Sequence, residues 1–522
     1  MSKSFSLETI RIRLNQPELQ TLERHLRIQR VLRALILEGV LTPGSKLPAS
    51  RTLAQSLSVA RDTVENAYIQ LQRDGYITRK EGSGSYVADL IGANLYGRSA
   101  ARAKLRPPEP VSASLSQRGQ QVLASGGVVD QQVPKAFTTG LPETRAFPID
   151  VWLRLHRKVV LETPHHGLLH ADPQGAAPLR EAIATYLNLE RGAKVTAQNI
   201  LVLSSTRQAL TLCAHMLVDT DGPILMENPG YFGAKKAFEA AQTRVVPIDV
   251  DESGIRIDQL LADTSGARCV YVTPSHQYPT GVTLSLERRL ALIDWAQQNQ
   301  GWIIEDDYDS EFHYDGLPTA CVQGLDPYQR TLYIGTFSKT LFPGLRIGYI
   351  ALPPSLMPAM VAARSILDGH TPLNNQLTLA RFMADGHYNA HVRMMRQLYA
   401  ARKAALLAAI DAHLADVIQP IGPRKGGGLL LACHLLPGYD EATTLAQAAD
   451  AGIALPGLSR LYLGPKPLFG WVLGYASLTP HEITTTIQAL SQALSRPSTP
   501  APVQDEMAQQ ARHQPPKGTA HA

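Results

Sequence analysis

The stretch GTFSKTLFPGLRIGY, residues 335–349, follows an apolar run at 332–334 and decides the fold of the larger part of the chain. A lysine just beyond a strand lies at the edge where α/β sheets bind ligands. Lys339 can form a Schiff base there, because a low-dielectric site and nearby cations depress the pKa of its amine. Thr336 and Arg346 supply a hydroxyl and a cation that suit one phosphate. The stretch therefore predicts a reactive lysine beside a phosphate site.

An acidic cluster lies upstream, where the apolar residues 302–304 continue directly into EDDYD at 305–309. An aspartate at the end of such a strand can keep a pyridine nitrogen protonated, which makes the ring an electron sink. Asp306 is the candidate for this role. Taken alone, the cluster also fits a solvated acidic loop or a divalent-metal site, and the presence of Lys339 favours the pyridine ring.

A third element is NILVLSSTRQAL, residues 199–210, in which an apolar strand turns into a helix. The first turn of a helix offers free amides and a favourable dipole to a phosphate. Ser205, Thr206 and Arg207 are therefore candidates for binding a phosphate.

Short apolar runs alternate with helical segments from about residue 137 onward. Each run is apolar on both faces, which is typical of a parallel sheet covered by helices on both sides. The predicted fold of this part is therefore α/β. The candidate strands are 200–203, 224–226, 245–247, 269–272, 302–304 and 332–334.

The first 88 residues follow a different pattern, with apolar residues at helical spacing and then two short strands around a tight turn. Ser50 is a plausible N-cap of the second helix. Three helices and a two-stranded wing form a geometry that places the third helix in the major groove of DNA. The predicted helices are 22–38, 50–57 and 61–74, and the predicted strands are 76–80 and 85–87.

The segment LPASRTLAQSLSVARDTVENAYIQLQRDGYITRKEGSGSYV, residues 47–87, resembles the winged helix-turn-helix of the GntR superfamily. The resemblance implies an α+β domain in which Arg51, Arg61 and Gly82 approach double-stranded DNA, with Thr63 beside them. Arginine pairs with phosphates or guanine edges, and a hydroxyl or a bare amide suits a phosphate. The alternative is a module for protein contacts whose arginines are ordinary surface charges.

One residue departs from the GntR pattern. Members of the superfamily often place a serine before the second arginine, where it caps the third helix, and this chain has Ala60. The loss of such a cap costs about 0.5–2 kcal/mol. We therefore expect the third helix to fray at its DNA-facing end.

The stretch 335–349 resembles the lysine motif of fold type I aminotransferases, which use pyridoxal 5′-phosphate (PLP). The resemblance implies that Lys339 forms the Schiff base with PLP. It also implies that Thr336 and Arg346 bind the phosphate of PLP. By the same resemblance, Asp306 takes the pyridine nitrogen and Tyr308 the ring hydroxyl.

Two further segments bear on the same resemblance. NPGYFG at 228–233 resembles the loop that lays an aromatic ring on the cofactor, which nominates Tyr231. Ser205 and Arg207 stand where these domains usually have glycine and glutamine. We expect phosphate binding to survive both changes, with Arg207 adding positive charge.

The two resemblances occur in the order found in the MocR family of regulators, and they cover residues 22–496. Shared segments include GLPETRAFP at 140–148, HADPQGAAPLREAIATYL at 170–187 and PSHQYPTG at 274–281. The family implies a homodimer. It also implies an effector that is the cofactor itself, an amino acid or a related amine.

Departures from catalytic aminotransferases predict a relaxed catalytic apparatus. Tyr278 replaces the asparagine that bonds the ring hydroxyl, and His170 replaces a tyrosine that reaches across the dimer to the phosphate. The usual arginine for a substrate carboxylate is missing from GWVLGYASL at 470–478. Arg460 is the nearest candidate, and its alternative is an ordinary surface arginine.

Charge and composition fit a soluble protein that meets a polyanion at its N-terminus. The whole chain has a formal net charge of +5. Residues 1–88 hold 13 Lys or Arg against 8 Asp or Glu, so the positive charge is concentrated in this part. No apolar run of about 18 residues could span a membrane, and the N-terminus lacks a signal-peptide core, which predicts a cytoplasmic protein. The four cysteines are far apart and His165-His166 lacks a third ligand, so we expect buried thiols and no metal site.

We expect a DNA-binding domain at 1–88, a flexible linker at 89–138, a PLP-binding domain at 139–496 and a disordered tail at 497–522. The leading hypothesis is a PLP-dependent transcription regulator whose aminotransferase-like domain senses PLP, an amino acid or a related amine. One alternative is an active PLP-dependent aminotransferase with an appended DNA-binding domain. Another is a regulator whose pocket no longer binds the cofactor.

Overall fold

A computed structural model describes residues 7–80, 82–89, 114–128, 135–314, 319–465 and 467–494. The chain divides into two compact units, residues 1–114 and 115–522. Each unit has its own hydrophobic core. The predicted tail at 497–522 and much of the predicted linker lie outside the described residues.

The first unit is a small helical domain with a two-stranded wing, as the sequence predicts. The apolar stripes of its second and fourth helices meet in one core, where Leu32 and Val64 are fully buried. The elements are α1 (Leu7–Leu14), α2 (Arg24–Leu37), α3 (Ser50–Leu57), α4 (Arg61–Arg73), β1 (Ile77–Lys80) and β2 (Gly84–Val87).

The predicted cap at Ser50 is wrong. Ala49 is the N-cap residue of α3, and Ser50 already has the helical conformation of the first turn. The Ser50 side chain instead bonds to the carboxylate of Glu65 on α4. Ala60 is the N-cap residue of α4 and makes no side-chain cap, and the helix is formed from Arg61 onward, so fraying of this end stays a prediction.

The second unit is built on a large sheet flanked by helices, with a smaller sheet toward its C-terminal end. Its first helices are α5 (Gln117–Ala124), α6 (Ile149–Glu162), α7 (Ala177–Glu190), α8 (Thr206–Leu217), α9 (Phe232–Ala240), α10 (Ile257–Leu261) and α11 (Leu286–Gln298). The later helices are α12 (Val322–Leu325), α13 (Met357–Leu367), α14 (Leu373–Ala384), α15 (His387–His413), α16 (Glu441–Asp450) and α17 (Pro480–Leu494).

The eight strands of the large sheet follow the order β3-β10-β9-β8-β7-β4-β5-β6. All six predicted strands belong to it. Their bounds are β3 (Ile200–Leu203), β4 (Pro223–Asn228), β5 (Arg244–Asp251), β6 (Gly254–Ile255), β7 (Cys269–Val272), β8 (Trp302–Asp307), β9 (Thr331–Thr336) and β10 (Gly348–Ala351).

The six predicted strands all run in the same direction, and the sheet is mixed because it contains two further strands that the sequence pattern did not predict. β10 runs antiparallel to both of its neighbours, β9 and β3, and β6 runs antiparallel to β5. A parallel return needs a crossover of a dozen or more residues, usually with a helix. Residues 337–347, between β9 and β10, are too few for this, so the chain turns back and leaves Lys339 at the edge of the sheet.

Helices cover both faces of the large sheet, as predicted. Ile200 and Val202 pack into one hydrophobic cluster, while Leu201 and Leu203 pack into another on the opposite face. Successive side chains of a strand point to opposite faces, so a strand that is apolar throughout needs a core on each side.

A three-stranded antiparallel sheet, in the order β11-β12-β13, lies in the last part of the second unit. Its core includes Trp471 and Tyr399, and α15 and α17 pack against each other there. The strands are β11 (Ile418–Pro420), β12 (Leu430–Leu435) and β13 (Gly470–Gly474).

The predicted linker contains ordered structure at its C-terminal end. α5 begins after Ser116, whose side chain accepts a hydrogen bond from the Gly119 amide at 3.1 Å and so caps the helix. Phe137 is fully buried in the core of the second unit. The Ala- and Ser-rich composition predicts a flexible segment, but the Ser116 cap orders α5 and the burial of Phe137 fixes the end of the segment in the core.

The four cysteines are buried and unpaired, which confirms the prediction of buried thiols. Burial raises the pKa of each thiol, to about 12 for Cys269. Within the described part of the chain, no helix combines the length and the apolar character that crossing a membrane requires.

Candidate functional site

A cavity of about 520 Å³ lies at the carboxyl edge of the large sheet. The sequence elements that predicted a ligand site are far apart along the chain, and the fold brings all of them to this cavity. The predicted residues that line it are Ser205, Thr206, Arg207, Tyr231, Asp306, Tyr308, Thr336, Lys339, Arg346 and Arg460.

Lys339 reaches into the cavity from the connection between β9 and β10. Its Nζ donates a hydrogen bond to the carbonyl of Gly140 at 2.7 Å. Gly140 has a φ of +82°, and a Cβ built there would lie 2.7 Å from the Lys339 Nζ. The positive φ favours glycine at position 140, and the missing side chain leaves the space that the end of the Lys339 side chain occupies.

Asp306 lies at the end of β8 and is 3% exposed. Its Oδ2 accepts a hydrogen bond from the hydroxyl of Tyr271 at 2.8 Å, while its Oδ1 is buried and has no hydrogen-bond partner. Burial raises the pKa of Asp306 to about 7. One carboxylate oxygen at the cavity is therefore available to a ligand that carries a proton.

Three tyrosines form one aromatic wall of the cavity. The ring of Tyr278 lies between those of Tyr231 and Tyr308, with centroid distances of 5.4 and 6.1 Å and edge-to-face geometry. The Tyr308 hydroxyl donates to the carbonyl of His276 at 3.1 Å. Burial raises the pKa of the Tyr308 phenol, so Tyr308 is a neutral hydroxyl that can bond to a ligand.

The start of α8 faces the cavity and presents the free amides of its first turn. Ser205 is the N-cap residue, and its side chain accepts from the Gln208 amide at 3.2 Å. Arg207 donates to the carbonyl of Val128 at 3.3 Å. With Arg346 on the same cavity, two cations and one helix N-terminus surround a pocket that suits a phosphate.

Arg460 lies in a 3-10 helix, Ser459–Leu461, and is exposed at the cavity. Buried Glu441 holds this turn, because it accepts hydrogen bonds from the Ser459 hydroxyl at 2.5 Å and the Ser459 amide at 3.2 Å. Burial raises the pKa of Tyr278, and the positive charge of nearby Arg460 opposes this shift. No described carboxylate forms an ion pair with Arg460.

Some lining residues were missed in the sequence. Tyr271, the donor to Asp306, was taken only as part of an apolar strand, although a tyrosine in a fully buried strand needs a partner for its hydroxyl. Gly140 and Ser338 also line the cavity. A glycine near the start of the domain and a serine next to the reactive lysine were the available signals. His170 is exposed and does not line the cavity, and its ring lies 5.9 Å from that of His370.

The first unit presents its predicted DNA-binding residues to solvent. Arg51 lies in the first turn of α3 and Arg61 begins α4, and both are exposed. Thr63 is half-buried beside Arg61. Gly82 is exposed between β1 and β2 with a φ of +74°, a conformation that glycine adopts without strain.

Comparisons with known proteins agree with both units. Residues 25–87 match the family "Bacterial regulatory proteins, gntR family", and residues 142–438 match "Aminotransferase class I and II". The probable rhizopine catabolism regulatory protein MocR of Rhizobium meliloti is 34% identical over 477 residues, which are 90% of this chain and 93% of that protein. This chain belongs to the MocR family. It is a DNA-binding transcription regulator with an aminotransferase-like domain.

A second relative matches most of the chain, and a solved structure matches the large unit. The pyridoxine biosynthesis regulator PdxR of Corynebacterium glutamicum is 29% identical and covers 89% of this chain and 94% of its own length. The kynurenine aminotransferase of Pyrococcus horikoshii is 24% identical with a TM-score of 0.64, over 76% of this chain and 98% of that structure. The large unit therefore has the fold of a PLP-dependent aminotransferase.

The raised pKa of Asp306 predicts a measurable effect of pH on stability. The folded chain keeps this proton up to about pH 7, while an unfolded aspartate loses it near its ordinary pKa of 3.8. Tighter binding of this proton by the folded state contributes to the free energy of unfolding. This contribution is complete below the pKa of the unfolded aspartate and is lost as the pH rises through the pKa of the folded state. Without added ligand, we expect the melting temperature of Asp306→Asn to fall less than that of the parent between about pH 5 and 8.

Melting curves across this pH range check the prediction, with Asp150→Asn on the exposed start of α6 as the control. Asparagine can still accept the hydrogen bond from Tyr271, so the variant isolates the titration. Parallel pH profiles for the parent and Asp306→Asn would contradict the assignment of a raised pKa.

Proposed function

We propose that the large unit binds PLP in this cavity and that an amine or amino acid bound there controls the DNA binding of a cytoplasmic homodimer. The observation that carries the proposal is the meeting of Lys339, Asp306 and the start of α8 around one cavity. These groups match the three polar ends of PLP: its aldehyde, its ring nitrogen and its phosphate.

The residues fit the cofactor in detail at Asp306. Its unpartnered Oδ1 is buried at the cavity wall, which costs free energy unless a donor arrives. A protonated pyridine nitrogen is such a donor. When bound, PLP supplies an electron-withdrawing ring and an aldehyde that amines attack.

The remaining groups would orient the ring and hold its phosphate. Tyr308 offers a neutral hydroxyl to the ring hydroxyl, and Tyr231 offers an aromatic face. The amides at the start of α8, with Arg207 and Arg346, would bind the phosphate. Lys339 would move from the Gly140 carbonyl to the aldehyde, so loading of the cofactor breaks one hydrogen bond within the protein.

An active aminotransferase is the second candidate function, because Lys339 and Asp306 are both in place. Tyr278 argues against it, since it replaces an amide that would otherwise bond the ring hydroxyl. Turnover of an amino donor and a 2-oxoacid by the purified chain separates the two functions. If the amount of product exceeds one equivalent of the protein, the chain is an active aminotransferase. If no product accumulates beyond one equivalent, the result supports a regulator without turnover.

The proposed homodimer is supported by apolar residues beside His170. Leu168 and Leu169 are 81% and 63% exposed, and burial of two such side chains would contribute about 1.5–3 kcal/mol each. Light scattering of the full chain gives the oligomeric state directly.

We expect Lys339→Ala to abolish the visible absorption band that appears when PLP is added to the parent chain, because Lys339 is the one lysine among the described residues that line the cavity. Spectrophotometric titration with PLP measures the effect. Lys194→Ala, at an exposed lysine outside the cavity, should behave like the parent. A parent chain that gives no band with PLP would remove the cofactor from the proposal.

We expect Arg61→Ala to weaken binding to the preferred operator by about 1–3 kcal/mol, because Arg61 begins the helix that enters the major groove. The operator is obtained by selection from a random-sequence duplex library, and affinities are measured by gel shift. Arg73→Ala, at the opposite end of α4, is the matched control. Full-strength binding by Arg61→Ala would exclude Arg61 from the contacts.

We expect Arg460→Ala to weaken the binding of amino acids that carry one carboxylate. The binding of the corresponding amines, which lack that carboxylate, should not change. Shifts in the spectrum of the bound cofactor measure both affinities across the common amino acids. In the parent the acid should bind more tightly than its amine, and in the variant this difference should disappear. Arg244→Ala, exposed and outside the cavity, is the control. If Arg460→Ala still binds the amino acid more tightly than its amine, Arg460 does not bind the carboxylate and is an ordinary surface arginine.

A further inference from the structure

A histidine and an aspartate form a buried pair close to the aromatic wall of the cavity. His276 and Asp309 are 3% and 1% exposed, and the Nδ1 of His276 lies 2.8 Å from the Oδ1 of Asp309. An ionised carboxylate only accepts hydrogen bonds, so the imidazole donates from Nδ1. The Oδ2 of Asp309 is buried and has no hydrogen-bond partner. The imidazole therefore offsets part of the cost of burying this carboxylate.

The segments that carry this pair meet a second time through Tyr308. The hydroxyl of Tyr308 donates to the main-chain carbonyl of His276 at 3.1 Å. Two consecutive residues after β8 thus hold one histidine, since Tyr308 bonds to its carbonyl and Asp309 bonds to its ring. The ring and the peptide group of His276 are fixed together.

The imidazole of His276 is also enclosed on its other sides. The ring of His313 stacks on it, with centroids 6.2 Å apart and an interplanar angle of 13°. A Cβ built at Gly427 would lie 2.5 Å from the Nε2 of His276, so the missing side chain at Gly427 leaves room for the imidazole. These contacts allow the ring one position.

The contact with His276 also sets the direction in which Tyr308 can bond to a ligand. A tyrosine hydroxyl carries one proton and accepts through its oxygen. The proton of Tyr308 is directed to the carbonyl of His276, so the oxygen is left to accept a hydrogen bond on the side of the cavity. A ligand with a hydroxyl group can supply that donor.

Backbone contacts nearby provide a competing explanation for the order of this segment. The side-chain amide of Gln277 donates to the carbonyls of Pro229 and Tyr278 at 2.8 and 2.7 Å. The main-chain amide of Gln277 donates to the carbonyl of Val282 at 2.8 Å. If these bonds alone held the peptide of His276, the imidazole would have no influence on Tyr308.

We propose that His276 is a positioning residue for the cofactor site: its ring, held by Asp309, fixes the carbonyl that orients the Tyr308 hydroxyl toward the ring hydroxyl of PLP. Because this role concerns the cofactor, it rests on the proposed function. Neither His276 nor Asp309 lines the cavity, so His276 acts on the cofactor through Tyr308. Loss of the imidazole should therefore weaken cofactor binding by the contribution of Tyr308 and no more.

The test is a double-mutant cycle on the full-length chain with His276→Leu, Tyr308→Phe and the double variant. Spectrophotometric titration gives the affinity of each for PLP. The loss of one neutral hydrogen bond weakens binding by about 2- to 10-fold, and we expect a loss in this range for each single variant. The double variant should bind PLP no more weakly than Tyr308→Phe, because the effects of residues that act through one contact do not add.

Two conservative variants of His276 separate positioning from a general effect on folding. Asparagine places its amide near the position of Nδ1 and can donate to Asp309, so His276→Asn should restore most of the affinity. Glutamine places its amide near Nε2, so His276→Gln should bind PLP as weakly as His276→Leu, and it replaces that variant in the cycle if His276→Leu does not fold. Melting curves without PLP show which variants are folded.

A matched control is available in the same unit. His156 on α6 contacts the hydroxyl of Thr378 through its Nδ1 at 3.0 Å and does not line the cavity. His156→Leu removes a comparable contact and should bind PLP like the parent.

Three results would overturn this role of His276. Parent-like affinity in a folded His276→Leu or His276→Gln would show that the bonds of Gln277 suffice. Losses that multiply in the double variant would show that His276 does not act through Tyr308, while the proposed function would stand. A parent chain that binds no PLP would refute the proposed function itself, and the positioning role with it.

Discussion

Three consecutive carboxyl groups are buried at the end of β8, and the cost of burying them constrains the surrounding structure. Glu305 accepts the amides of Val322 and Gln323 at the start of α12. Asp307 pairs with Arg191 at 2.9 Å. Asp306, which points to the other face, receives only the hydroxyl of Tyr271. Both oxygens of Glu305 accept hydrogen bonds, and Asp307 is held through one oxygen by Arg191 and Tyr333. Asp306, which faces the cavity, lacks a cation partner and keeps one buried oxygen without a hydrogen bond.

The pKa values follow this division. Burial raises the pKa of Asp307, but the Arg191 guanidinium and the Tyr333 hydroxyl outweigh it, and the net shift is downward. Burial dominates at Glu305 and Asp306 and raises the pKa of each to about 7. The pKa values of neighbouring carboxyl groups on one strand are therefore shifted in opposite directions. The same acidic run is a structural anchor on one face and presents the candidate ligand group Asp306 on the other.

The parts of the site that depend on local pattern could be predicted from the sequence. Lys339 and Asp306 each follow an apolar run, and a strand that ends in a polar residue indicates a sheet edge without further information. Contacts between residues that are distant in sequence could not be predicted. Arg191 meets Asp307 across 116 residues, and neither residue alone predicts the other. The antiparallel course of β10 depends on the length of a connection, which the apolar pattern of β9 and β10 does not reveal.

The burial of all four cysteines has a practical consequence. Thiols that are inaccessible and protonated react slowly with alkylating reagents and oxidants, so the native chain should be silent toward thiol-directed probes. Cysteines added at an exposed position of the wing and on an exposed helix of the large unit would therefore be labelled selectively. The distance between two such labels, measured with and without ligand, would test whether the two units move relative to each other.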